Sequence, residues 1–184
     1  MRSLLSVCLF SLALVAANAE TVDNPMYTPW KGFGAGSSAT YKTVTSAGGV
    51  KNEITMVVTL VSINDTECVV STENTMMVSG AEVKTPAYNT TIAAKIEVEK
   101  PTAEGSDTGS VKPKTETSQE TLEIAGQKLE CTKTAVTVET NGMKSESAYW
   151  TCTKVPGHTV KTSTKTSGAA ESTMEMNLTA FVVK

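Results

Sequence analysis

The sequence predicts a mostly β protein: a single curved antiparallel sheet in up-and-down order, or a partly closed barrel, of about eight strands. Apolar and polar residues alternate along several segments, which is typical of strands with one buried face. Threonine supplies 30 of the 184 residues, and β-branched side chains suit a pleated surface. No segment keeps a helical period of apolar residues over three turns.

Residues 1–19 have the pattern of an export signal. Arg2 is followed by an apolar stretch over residues 4–15, and the small residues Ala17 and Ala19 frame a cleavage site. The apolar stretch is shorter than the roughly 20 residues that span a bilayer. We therefore expect no transmembrane segment, and a single mature domain of residues 20–184 that is periplasmic or secreted.

The first strands of that domain follow from alternation. Val50–Ile63 and Glu67–Val78 are predicted as two strands joined by a turn at Asn64 and Asp65. Residues 91–99 alternate in the same way and predict one further strand. Residues 100–118 mix proline, glycine and charged residues, which predicts a long mobile loop beside the opening of the sheet.

The later strands form hairpins. Leu122 and Ile124 resume the alternation, and Gly126 turns the chain into the next strand. The last hairpin is expected to run from His158 to Thr166, to turn near Gly168 and to return through residues 174–180.

One hairpin aligns two cysteines. Asn141-Gly142 is the strongest short signal for a two-residue turn. Residues opposed across such a turn have numbers that add up to 283, as do those of Cys131 and Cys152. The pair is also predicted to be one that is not hydrogen-bonded, where side chains approach most closely. The sequence therefore predicts a Cys131–Cys152 disulfide. Cys68 is then left over, as a buried apolar residue or as a reactive thiol.

Composition restricts the chemistry. A formal charge of −3 without basic runs argues against nucleic acid as a partner. His158 is the only histidine; a hydrolase would need a hydroxyl or thiol and a carboxylate gathered around it. No ligand spacing for zinc is present. We therefore predict no catalytic residue, no metal site, no cofactor and no enzymatic activity.

Methionines on predicted inward faces point to a binding surface. Scarce aromatics and flexible thioethers would make a concave face adaptable to an apolar ligand. An ordinary methionine-rich core is the alternative. The predicted ligand-binding residues are Met56, Val58, Ile96, Met174 and Met176. The glycines of residues 32–36 lack the strand and helix of a phosphate loop and are expected to form a flexible lead-in.

Three segments carry a resemblance to known proteins. They are residues 29–41, which begin Pro-Trp-Lys-Gly-Phe, residues 125–131, which end at Cys131, and residues 149–161 with Tyr-Trp-Thr and Val-Pro-Gly. Together these segments resemble a family of small exported planctomycete proteins of undefined role. At the level of the fold, the chain also resembles half-barrel lipoprotein-carrier proteins of the bacterial envelope. Neither resemblance implies a catalytic residue, and Cys152 lies outside the family pattern.

The residues that recur in this resemblance are interpreted as structural anchors. Trp30 and Trp150 are large enough to close the ends of a curved sheet. Pro156 and Gly157 would end one strand and turn the chain.

Three functions remain as hypotheses. The leading one is an exported non-enzymatic protein that binds an apolar ligand or an envelope component in the concave face. The second is a structural or protein-interaction module of the envelope with a filled core. The third is a hydrolase that uses His158.

Overall fold

The computed structural model describes residues 19–78, 81–99, 112–140, 142–168 and 171–184. The predicted export signal lies outside these ranges except for Ala19, and so does most of the predicted loop. Within them the chain forms one short 3-10 helix, Thr28–Trp30, and twelve strands. In chain order these are β1 Ala19–Asp23, β2 Ser38–Ala47, β3 Val50–Ile63, β4 Glu67–Val78, β5 Ala81–Lys84, β6 Tyr88–Ala93, β7 Lys95–Glu99, β8 Lys114–Ile124, β9 Gln127–Thr140, β10 Met143–Thr151, β11 Thr159–Ser167 and β12 Ser172–Val182.

Ten of the strands form one antiparallel sheet. Its order is β5-β4-β3-β2-β12-β11-β10-β9-β8, and β6 pairs with β4 beside β5. The sheet thus consists of two up-and-down runs that are joined where β2 pairs with β12. β1 and β7 form a separate two-stranded sheet. The predicted fold class is confirmed, although the strands outnumber the expected eight.

The large sheet is strongly curved but does not close into a barrel. β8 comes into contact with β12, although β9, β10 and β11 lie between them in the sheet. Breaks in register between Trp150 and Thr151 and between Leu178 and Ala180 add bends to β10 and β12.

Two predicted boundaries are wrong. Residues 91–99 are not one strand: buried Ala94 interrupts them, and its N–H donates to the Thr66 carbonyl at 2.7 Å. The predicted loop ends before residue 118, because β8 begins at Lys114. Residues 114–118 are all polar or charged, so their pairing with β9 has no apolar signal in the sequence.

The interior consists of two apolar clusters. The first centres on the β9–β12 strands and β2, with Leu129, Val155, Val160 and Leu178 at 2% exposure or less. The second packs the segment around Trp30 against Leu60, Cys68 and Val70 of β3 and β4. Cys68 is therefore a fully buried side chain, in line with the first of its two predicted roles.

Candidate functional site

Four of the five predicted ligand-binding residues lie on one face of the ten-stranded sheet. Tyr41 of β2 is opposed on one side to Met56 and on the other to Leu178. Directly opposed residues share a face, as do residues two apart along a strand. Val58 therefore accompanies Met56, and Met174 and Met176 accompany Leu178. We call this surface the methionine face.

The methionine face is half-open rather than enclosed. Met174 is 37% exposed, and Met56, Val58 and Met176 are partly buried. The five main clefts formed by the described residues have volumes of 310 to 560 Å³, and none is lined by any of these four side chains. These four side chains therefore form an open strip on the sheet, which their own atoms partly fill.

Ile96 is separated from the other four residues. It lies on β7 and is opposed to Val22 of β1, in the two-stranded sheet. Its alternation with polar neighbours was a correct strand signal, but alternation does not reveal which sheet a strand joins.

The opposite face of the sheet carries a charged cluster that sequence analysis missed. We call it the Trp150 cluster; it takes one residue from each of the five strands β8 to β12, namely Glu120, Lys133, Trp150, Lys161 and Glu175. The indole N–H of Trp150 donates to Glu120 Oε2 at 2.6 Å. Lys133 Nζ lies 2.9 Å from Glu120 Oε1, and Lys161 Nζ lies 3.3 Å from Glu175 Oε1.

Both lysines of the Trp150 cluster also approach the buried indole. Lys133 Nζ and Lys161 Nζ lie 5.0 and 5.2 Å from the ring centroid, within range of cation–π attraction. The hydrogen bond from Lys133, then that from Trp150, holds the pKa of Glu120 below its ordinary value. Every charge in the cluster has a partner on another strand. The contacts therefore link the five strands β8 to β12 to one another. The residues are 11 to 55 positions apart in the sequence, so no local motif could reveal them.

The two cysteines predicted to form a disulfide are free thiols in the structure. The pairing register of β9 with β10 is nevertheless the predicted one, since Met143 is opposed to Thr140 and Thr151 to Thr132. Burial raises the pKa of Cys131, and the neighbouring Cys152 raises it further.

Three of the predicted anchors meet at one place. The N–H of Gly157 donates to the Pro29 carbonyl at 3.1 Å, beside Trp30. Gly157 has a φ of +77°, and a Cβ there would lie 3.2 Å from the Trp30 ring. Pro156 is fully buried next to it. Trp150 lies apart, in the first apolar cluster, whereas Trp30 belongs to the second.

The predicted flexible lead-in is instead a cradle for Lys184, which follows β12. The Gly34 N–H donates to the Lys184 carbonyl, and the Lys184 N–H donates to the hydroxyl of buried Ser37, both at 3.0 Å. A Cβ on Gly34 would lie 3.0 Å from the Lys184 oxygen. The interpretation as a flexible segment was wrong because its partner lies almost 150 residues away.

The His158 ring packs edge-on against Phe33, with a distance of 6.2 Å between the ring centroids. Burial lowers the pKa of His158, which favours the neutral ring. Within the described ranges, the structure records no hydrogen bond from this ring to a hydroxyl, thiol or carboxylate. His158 also has a φ of +57°, so its backbone takes part in the tight turn after Gly157.

The described part of the chain contains no group of three or more His, Cys, Asp or Glu side chains that could hold a metal ion. It also contains no helix long and apolar enough to cross a membrane.

No family model and no curated protein matches the chain. Two solved structures are similar in fold. A candidate lipoprotein from Parabacteroides distasonis ATCC 8503 is 9% identical, with 80% of this chain and 95% of that chain covered and a TM-score of 0.43. A candidate outer membrane lipoprotein-sorting protein domain from Vibrio parahaemolyticus is 12% identical, with coverages of 85% and 88% and a TM-score of 0.30. At these scores neither likeness carries a conclusion about function.

Proposed function

We propose that the protein is an exported, non-enzymatic β protein that binds an apolar ligand or envelope component along the methionine face. The observation that supports this most directly is the convergence of Met56, Val58, Met174 and Met176 on one face by strand register. Thioether side chains adapt to ligands of irregular shape, because they are unbranched and polarizable.

The neighbourhood of these residues fits an elongated amphipathic ligand. Thr43 and Thr45 of β2 lie opposite Met176 and Met174, and Thr162 and Thr164 of β11 lie opposite them on the other side. The strip thus presents methyl and thioether groups next to hydroxyl groups. An acyl chain lying across the strands would contact the former while its polar end hydrogen-bonds the latter.

The proposal is tested with N-phenyl-1-naphthylamine, an apolar fluorophore, added to the purified full chain. The Met174→Gln/Met176→Gln variant makes the strip polar with little change in volume. We expect fluorescence enhancement with the wild-type protein and an affinity at least tenfold lower for the variant.

Met77→Gln is the matched control. Met77 is 57% exposed on β4, but it follows Met76 and so points to the opposite face of the sheet. This variant should bind the fluorophore as the wild type does. Equal binding by all three proteins would refute the methionine face as the binding surface.

The second candidate is a structural or protein-interaction module. The fully buried cores around Leu60, Leu129 and Val160 favour it, since such a module is expected to have a filled core. The edge strand β8, however, carries Lys114, Glu116 and Glu120, and charges on an edge discourage strand addition. A pull-down partner bound equally by the wild type and the Met174→Gln/Met176→Gln variant would favour this function.

A further inference from the structure

The β9–β10 register places the cysteines where a disulfide fits. Thr132 is opposed to Thr151, and Cys131 and Cys152 are the next residues toward the open end of the hairpin. The Cys152 N–H donates to the His158 carbonyl at 2.8 Å, so it points away from β9. This is the geometry of a pair that is not hydrogen-bonded. Cα atoms in such pairs are about 4.5 Å apart, within the range that a disulfide spans.

The surroundings of the two thiols select this pairing over any with Cys68. Cys131 and Cys152 are 0% and 4% exposed and belong to the same apolar cluster. Cys68 is equally buried, but it belongs to the cluster around Trp30. Cys68 could bond to Cys131 or Cys152 only if the apolar cluster around Trp30 came apart.

We propose that Cys131 and Cys152 are joined by a disulfide when the protein folds in an oxidising exported compartment. The oxidant is the disulfide of a thiol oxidoreductase or of a small-molecule thiol. One cysteine thiolate attacks that disulfide and forms a mixed disulfide, which releases one thiol. The second cysteine then displaces the remaining thiol, so the pair loses two protons and two electrons and the oxidant gains them.

Burial dictates when this reaction occurs. Neither thiol is accessible once Val155 and Pro156, both fully buried, have packed into the core. The hairpin that brings the cysteines together is local, since its connection has only two residues. The bond therefore forms on the hairpin before the core closes. In the folded protein it is shielded from reductants.

Peptide mapping tests the pairing. The full chain is recovered from the periplasm of a bacterial host, denatured without reductant, alkylated with iodoacetamide and digested with trypsin. Lys133 and Lys144 lie between the two cysteines, which therefore fall on different peptides. We expect a linked pair of peptides containing Cys131 and Cys152 that reductant separates, and an alkylated Cys68. Alkylated Cys131 and Cys152, or a link to Cys68, would overturn the proposal.

Thermal unfolding provides a second readout. The wild type refolded under reductant should have a Tm about 6–12 °C below that of the oxidised protein, because the bond closes a loop of about 20 residues in the unfolded chain. The Cys68→Ser variant should show the same difference, and the Cys131→Ser/Cys152→Ser variant none. A reductant-dependent Tm that persists in the double variant would contradict the assigned pair.

Discussion

At the scale of the residue, the most informative side chains are those whose partners come from distant strands. Trp150 was expected as an apolar anchor, and it is buried. Its contacts with Glu120, Lys133 and Lys161 are nevertheless polar and ionic. A sequence shows a tryptophan but not which strands lie beside it. The large size of the Trp150 side chain was therefore predictable, whereas the charged groups around it were not. The same holds for Gly34, whose missing side chain makes room for the backbone of Lys184.

The lowered pKa of Glu120 predicts a pH-dependent contribution to stability. A carboxyl group whose pKa is lower in the folded state stabilises the fold above its unfolded pKa of about 4.3. That contribution is lost as the pH falls through the folded value. Glu120→Gln should therefore lower the free energy of unfolding at pH 7, and the difference from the wild type should shrink toward pH 3.

Urea unfolding of both proteins at pH 7 and pH 3 measures this difference. Glu123→Gln is the matched control, because Glu123 lies on the same strand but is exposed on the other face. It should change stability little at either pH. A Glu120→Gln deficit that is as large at pH 3 as at pH 7 would show that packing, rather than the carboxylate charge, is responsible.

At the scale of the element, the alternation of apolar and polar residues predicted where most strands lie. It did not predict which strands pair with one another. The predicted bounds of β3 and β4 agree with the structure, because both strands alternate and end at a clear turn. The break between β6 and β7 was missed because Ala94 continues the apolar pattern while its backbone turns away. That break is held by Asn24, which lies 70 residues earlier in the chain. Its N–H donates to the Ala94 carbonyl and its Nδ2 donates to that of Ala93, at 2.9 and 2.8 Å.

Asn24→Ala should loosen the two-stranded sheet selectively. The substitution leaves the Ala93 carbonyl without its side-chain donor and the Met26 N–H without its acceptor. We expect a loss of about 1–3 kcal/mol in unfolding free energy. Amide exchange should rise in β1 and β7 and stay unchanged in β9 and β10. Asn89→Ala, at an exposed position on β6, is the control and should change exchange little. An equal increase in amide exchange across both sheets in the Asn24→Ala variant would contradict a role of Asn24 confined to the two-stranded sheet.

At the scale of the whole molecule, the central pairing is the one between β2 and β12. Their residues are more than 120 positions apart, yet each strand has eight or more residues opposed to the other. The sequence predicts an up-and-down order, and this holds separately for β2–β4 and β8–β12. The pairing that joins the two runs has no signal in local alternation, which is why it could not be predicted.

Amide exchange under increasing denaturant tests the pairing of β2 with β12, which we call the β2–β12 seam. Peptides from β2 and from β12 should share one opening free energy, equal to that of global unfolding, since neither strand can leave without the other. Peptides from the short strands β5 and β6 should open at lower free energies. Different opening free energies for β2 and β12 would show that the two runs of the sheet are independent units.

The β2–β12 seam also has a consequence for the order of folding during synthesis. Because a ribosome makes the chain from its first residue onward, β2 emerges long before Ser172–Val182. Until β12 follows, β2 can pair with β3 on one side only, and its other side remains open. We therefore expect this pairing to form late, because distant contacts form slowly. The ten-stranded sheet becomes continuous only after β12 has been translated.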